Sequence, residues 1–156
     1  MAVNIFKKPG RQTILVAEAV LTYANTLSPA DLNGVDTPCI DMPEGSQVVG
    51  GRVFVTTAFN SATSDTLDVG DNDDPNRYTN GGAVDISTAD VFPLTLDTVS
   101  VSNHVYTAGE TINFTWTAVG ADATAGEVRI QIHYIIADRA NETQSLKVTN
   151  YGAARQ

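Results

Sequence analysis

Cysteine is nearly missing from this chain: Cys39 is the one thiol among 156 residues, so no disulfide can form within it. With no charged base beside it in sequence, that thiol reads as a buried, inert side chain. Long hydrophobic runs are missing too. No apolar stretch approaches the ~20 residues that a membrane helix needs, and Pro9-Gly10 interrupt the N-terminal "MAVNIFKKPGRQ" before it forms a signal-peptide core. These absences predict a soluble, unsecreted protein. Imidazole is scarce, with His104 and His133 the two histidines, and no serine occupies a G-x-S-x-G elbow. The Gly-Gly pairs at 50–51 and 81–82 lack the Lys-Ser/Thr that completes a nucleotide loop. Eighteen acids supply paired carboxylates by chance alone, so such a pair would identify nothing. The expectation is no catalytic residue, no metal ligand and no cofactor.

Positive charge is the other scarcity, with 9 Lys and Arg against 18 Asp and Glu for a net −9, and it is unevenly placed. Residues 1–11 carry Lys7, Lys8 and Arg11 with no acid, and residues 139–156 carry Arg139, Lys147 and Arg155 against Glu142 alone. The body between them therefore sets Arg52, Arg77 and Arg129 against the remaining 17 acids. Such an acidic body repels nucleic acid, whose binding depends on phosphate neutralisation. The two ends form a different surface from the middle.

What the chain does have is strands. Short runs rich in Val, Ile, Thr and aromatics are bounded by Gly, Pro, Asn and Asp. In "TINFTWTAV" (111–119) Ile112, Phe114, Trp116 and Ala118 alternate with Thr111, Asn113, Thr115 and Thr117, which predicts one buried and one wet face. "EVRIQIHYII" (127–136) repeats the pattern, with Arg129, Gln131 and His133 on the polar side. The Gly-bounded "GADATAG" between the two suits a hairpin. "QVVGGRVFVTTAF" (47–59) reads as a long strand bulged at Gly50-Gly51. Further strands are expected at 38–42, 65–69 and 91–101, with Pro93 pushing the last toward an edge, and at 12–24, where Ile14, Val16, Val20 and Tyr23 favour strand over helix. Seven or eight such strands make a β-sandwich or barrel.

"TLDVGDNDDPNRY" (66–78) packs Asp68, Asp71, Asp73 and Asp74 around Gly70 and raises the question of a calcium loop. An EF-hand needs Gly at its sixth position and Glu at its twelfth; counted from Asp71 these are Asn76 and Gly82. The spacing fails. Asp, Asn, Gly and Asp-Pro at these positions read as turn chemistry, in which short polar side chains bond their own backbone, with an irregular calcium site at Asp71, Asp73 and Asp74 as the alternative.

The run from "VFVTTAFNSATSDTLDVGDNDDPNRY" (53–78) through "YTAGETINFTWTAVGADATAGEVRIQIHYIIADR" (106–139) resembles capsid decoration, or cement, proteins of tailed bacteriophages, with "SDTLDVGD" as its most specific piece. The resemblance spans roughly residues 45–139 and implies an all-β antiparallel jelly-roll β-sandwich, to which the polar, basic ends add extended N- and C-terminal arms. The expected division is a basic arm at 1–11, the sandwich domain at 12–138 and an extended tail at 139–156. The function it implies is structural and non-enzymatic: a virion protein on the outer capsid surface that cements neighbouring subunits of the major capsid protein. It would also associate with itself as a homodimer or homotrimer, without nucleic acid or membrane. Lys7, Lys8, Arg11, Arg139, Lys147 and Arg155 are the residues expected to face acidic patches on capsid or sister subunit. A head-fibre base, a tail component, or a carbohydrate-binding adhesin using Tyr78 or Tyr106 are the competing expectations.

Overall fold

The computed structural model describes residues 13–24, 33–79, 82–96, 101 and 103–136. Eight strands follow in order: β1 (Leu15–Thr22), β2 (Asp36–Asp41), β3 (Ser46–Thr57), β4 (Ser64–Asp71), β5 (Val84–Asp85), β6 (Val91–Pro93), β7 (Thr111–Val119) and β8 (Glu127–Ile136). They form two four-stranded sheets, β1-β8-β3-β6 and β2-β7-β4-β5, in which every pairing is antiparallel. The pairings nest: β4 with β5, β3 with β6, β2 with β7, β1 with β8. The chain is thus one antiparallel ribbon folded back at β4-β5 and wound across two layers.

Alternation places the core between the layers. From one sheet Val48, Val53, Val55, Val128, Ile130 and Ile132 point inward; from the other come Leu67, Val69, Ile112, Phe114 and Trp116, all buried. β1 contributes Ala17, Ala19 and Leu21 to this interior and leaves Val16 and Val20 outside. The expected strand at 12–24 is present as Leu15–Thr22, but two of its valines, Val16 and Val20, face away from the core.

Several expectations from sequence change. The 111–119 and 127–136 strands do not form a hairpin, because β7 and β8 lie in different sheets and their connection is an arch across the core. Both strands carry a complete apolar stripe, and facing one core from opposite layers buries both. Gly126, at φ 147°, makes the crossing tight: a Cβ there would lie 2.4 Å from the Phe59 ring. Asn113 sits on the outward side of β7 yet is only 1% exposed, since its Nδ2 donates to Asp36 Oδ2 at 2.7 Å and Asn72 Oδ1 at 2.6 Å. The 91–101 strand contracts to Val91–Pro93, an edge strand paired to β3 as Pro93 suggested. The bulge at Gly50-Gly51 is present as a register shift between Val48 and Gly50 against β8.

Candidate functional site

The Asp-rich stretch opens on the last residues of β4 and turns back at once. Asp71 Oδ1 accepts the backbone N–H groups of Asp73 and Asp74 at 3.1 and 3.0 Å, and Asp71 and Asp74 also exchange backbone hydrogen bonds. This is the local turn chemistry the composition predicts. It folds the following backbone onto β4 so closely that a Cβ on Gly70 would lie 2.1 Å from the Asp74 carbonyl oxygen and 2.3 Å from the Pro75 carbonyl carbon. Those neighbours are main chain and cannot swing aside. Gly70→Ala should therefore lower stability by about 1–3 kcal/mol or more, seen as a fall in the urea midpoint; an unchanged midpoint would show that the turn can open without loss.

Asp71 itself is buried, and its carboxylate is already occupied. Arg77 Nε donates to Oδ2 and Nη2 to Oδ1 at 3.2 Å, while the Tyr106 hydroxyl donates to Oδ2 at 3.4 Å. The Tyr78 and Tyr106 hydroxyls lie 2.7 Å apart, and the His104 ring stands edge-on to Tyr106 with Nε2 3.6 Å from Asp71. Burial lowers the Arg77 guanidinium pKa, but the bonds and charge of Asp71 more than reverse this, so it stays firmly cationic. Burial pushes the Tyr78 phenol up to about 12 and Tyr106 higher still, so both remain neutral donors at any ordinary pH. Asp68 points outward and accepts from Thr79 Oγ1 at 2.8 Å. Among the described residues no group of three or more His, Cys, Asp or Glu side chains is placed to hold a metal ion.

This polar cluster ties the sheets together. Tyr106 N donates to the Ser46 carbonyl at 2.8 Å, and Gly45 N donates to the Tyr106 carbonyl at 2.8 Å, anchoring the segment to the start of β3. Its side chain reaches Asp71 at the end of β4 in the other layer. Ser46 pairs with Ile136 at the end of β8, and Tyr134 pairs with Leu15 at the start of β1. The cluster therefore plugs the end of the sandwich from which both ends of the described domain depart. A second buried acid, Asp65, serves the interior in the same way: it accepts Ser61 N at 2.8 Å, Ser61 Oγ at 2.7 Å and Trp116 Nε1 at 3.0 Å. Trp116, fully buried and tilted against Phe59 at 5.3 Å, is a core residue. Cys39 is partly buried, and desolvation, reinforced by the negative charge of Asp36, pushes its thiol up to about 12, which keeps it inert.

The outer faces of the two sheets differ in kind. Across β2-β7-β4 the outward side chains run Asp36, Thr115, Asp68 in one row, and Thr117, Thr66, Asp85 continue across β7-β4-β5 in the next. Across the other sheet the rows read Val20, Arg129, Phe54, Val91 and Glu18, Gln131, Arg52, Pro93. Arg129 stacks over the Phe54 ring at 5.1 Å and lies 3.7 Å from Glu18. His133, on this same face, has Nε2 3.0 Å from Gln131 Oε1. The signal was present in sequence as the alternation of Val16 and Val20 with Ala17 and Ala19, and of Arg129 with Val128 and Ile130; what was missing was the register that sets them side by side.

Lys7, Lys8, Arg11, Arg139, Lys147 and Arg155, the arm cations expected to bind a partner, all lie outside the described residues. Tyr78 and Tyr106 cannot serve as exposed carbohydrate platforms, being 0% and 1% exposed.

No protein-family model matches this chain, and no curated protein matches it. Solved structures do. A chain of the cyanophage Pam1 capsid asymmetric unit superposes with a TM-score of 0.61 at 19% identity, over 87% of this chain and 94% of that one. A chain of the capsid of Ralstonia phage GP4 gives 0.57 at 17% identity, over 82% and 86%. A chain of the acidic stable capsid structure of Helicobacter pylori bacteriophage KHP30 gives 0.50 at 12% identity, over 81% and 93%. At such identities the likeness is one of fold.

Proposed function

We propose that this chain is a structural protein of a phage virion that binds the outside of the capsid and cements neighbouring subunits of the major capsid protein. The observation that carries this reading is the reach of the structural likeness, which extends over 94%, 86% and 93% of chains found in three phage capsid structures. The nested strand order is read as the jelly-roll winding that the sequence resemblance implies. The interior supports a structural role: Asp65, Asp71 and Arg77, the buried charged side chains, are each bonded to other parts of the sandwich and are spent on holding it together.

Cementing needs no strong single contact. Each copy gains little, yet a copy that bridges two subunits makes its second contact at high local concentration, and symmetric repetition over the shell makes opening cooperative. The basic arms at 1–11 and 139–156, on either side of the domain at 12–138, are the bridging elements in this scheme, reaching acidic patches on the capsid or on a sister copy in a homodimer or homotrimer.

Purified protein added to capsids stripped of it should co-sediment with them and appear on the outer surface in cryo-electron micrographs. Protein lacking residues 1–11 or 139–156 should fold and fail to bind. Density at a fibre base or on the tail would overturn the capsid assignment, and undiminished binding by both truncations would overturn the role of the arms.

A further inference from the structure

The chain has few cations, and where the fold puts them is informative. Among the described residues the Lys and Arg side chains are Arg52, Arg77 and Arg129. Arg77 is consumed by Asp71 inside the sandwich. The other two, Arg52 and the Glu18-paired Arg129, lie on the same outer face, that of the β1-β8-β3-β6 sheet, in neighbouring rows of β3 and β8. The opposite face presents Asp36, Asp68 and Asp85 among threonines. Glu18, 3.7 Å from Arg129, and Glu127 offset Arg52 and Arg129, so the β2-β7-β4-β5 face is acidic while the β1-β8-β3-β6 face is near charge balance.

That side is also apolar. Val16, Val20 and Val91 are 57%, 51% and 47% exposed, and Val20 and Val91 bracket the Arg129–Phe54 stack in one row across four strands. Exposed valines on a face with a half-exposed arginine stacked on an aromatic ring are the composition of an interface centre rather than of a solvated sheet. The chain outside the described domain adds to this. β1 and β8 are the strands that carry on into residues 1–12 and 137–156, they are paired, and both belong to this sheet. Lys7, Lys8, Arg11, Arg139, Lys147 and Arg155 are therefore connected to the sheet that already holds Arg52 and Arg129.

We infer that the outer face of the β1-β8-β3-β6 sheet, centred on Val20, Arg129, Phe54 and Arg52, is the surface laid against the capsid, and that the capsid surface it meets is apolar at its centre, with acidic groups for the basic arms that join this sheet. This rests on the capsid-binding reading and adds to it the contact face and the chemistry of the partner. The acidic β2-β7-β4-β5 face then points to solvent, and its charge disfavours docking the wrong way round.

The test uses full-length protein and stripped capsids. Arg52→Glu with Arg129→Glu should weaken co-sedimentation at least tenfold, and Val20→Asp should do likewise. Thr117→Glu on the opposite face should bind as wild type does. Arg52→Gln with Arg129→Gln, a milder pair that leaves the fold undisturbed by circular dichroism, should still lose several-fold, and wild-type binding should weaken as salt rises. Folded Glu and Gln variants that bind as wild type would overturn the face while leaving the capsid reading intact. Failure of wild-type protein to bind capsids at all would overturn both. If the variants instead alter the mass in solution and leave capsid binding unchanged, the face belongs to a second copy and the inference is wrong.

Discussion

Asp71→Ala should be among the most damaging single substitutions in this protein, costing about 3–5 kcal/mol. The carboxylate is the hub for five groups: two guanidinium N–H donors of Arg77, the backbone N–H of Asp73 and of Asp74, and the Tyr106 hydroxyl. Removing it leaves the Arg77 charge buried without a counter-ion and at the same time frees the turn that holds Pro75 against Gly70. The cost is that of an uncompensated charge, not of the pair itself, and the two are separable. Arg77→Leu in the Asp71→Ala background should cost much less than Arg77→Leu alone, because the guanidinium then has nothing left to neutralise. Asp71→Asn, which keeps an oxygen for the two backbone donors, should fall between. Urea denaturation followed by far-ultraviolet circular dichroism measures all four; additive losses would show that Asp71 and Arg77 do not act as a unit.

Trp116→Ala should cost a similar ~3–5 kcal/mol, by a different route. The indole fills the centre of the core against Phe59, and its Nε1 donates to the fully buried Asp65. Truncation opens a cavity in a close-packed interior and strips the carboxylate of one donor, although Ser61 still supplies two. Trp116→Phe isolates the smaller volume change and the lost hydrogen bond, and should recover more than half of the deficit. For a domain of ordinary stability, ~5–15 kcal/mol in all, the alanine variant approaches the limit of folding at 37 °C. Trp116 is the one tryptophan, so its emission reports on unfolding of the wild type and the variants need another probe. A loss below 1 kcal/mol for the alanine variant would mean that the core collapses to fill the space.

Much of this fold is legible in the chain. Both late strands are bounded as alternation predicts, because each has one face wholly committed to the core and period-two patterning is then unambiguous. Pro93 marks an edge strand and Gly50-Gly51 a bulge, since proline and glycine act locally, whatever packs around them. What alternation does not contain is the layer a strand joins. "GADATAG" is as suitable for an arch as for a hairpin, and only the need to bury two apolar stripes on one core decides between them. Asn113 and Asp65 are polar residues with buried partners far off in sequence, so nothing near them announces their role. The same holds for the contrasting faces: Val20, Arg129, Phe54 and Val91 come from four strands and become one row only through pairing register. The turn in the Asp-rich stretch is legible for a local reason, as the Asp71 carboxylate lies within reach of the chain's own N–H groups at Asp73 and Asp74.

The nested pairing also sets the order in which the molecule can be made. Successive strands near the fold-back, β4 and β5, are the nearest partners along the chain, while β1 must wait for β8, which begins 105 residues after β1 ends (Thr22 to Glu127). On a ribosome the first strand emerges early and has nothing to pair with until almost the whole domain has been synthesised. Its outward valines, Val16 and Val20, are then exposed on a strand that is still an open edge. Closure of the sandwich is accordingly a late, long-range event that joins the two ends of the domain, and a chain cut short before β8 leaves β1 without its place in the sheet.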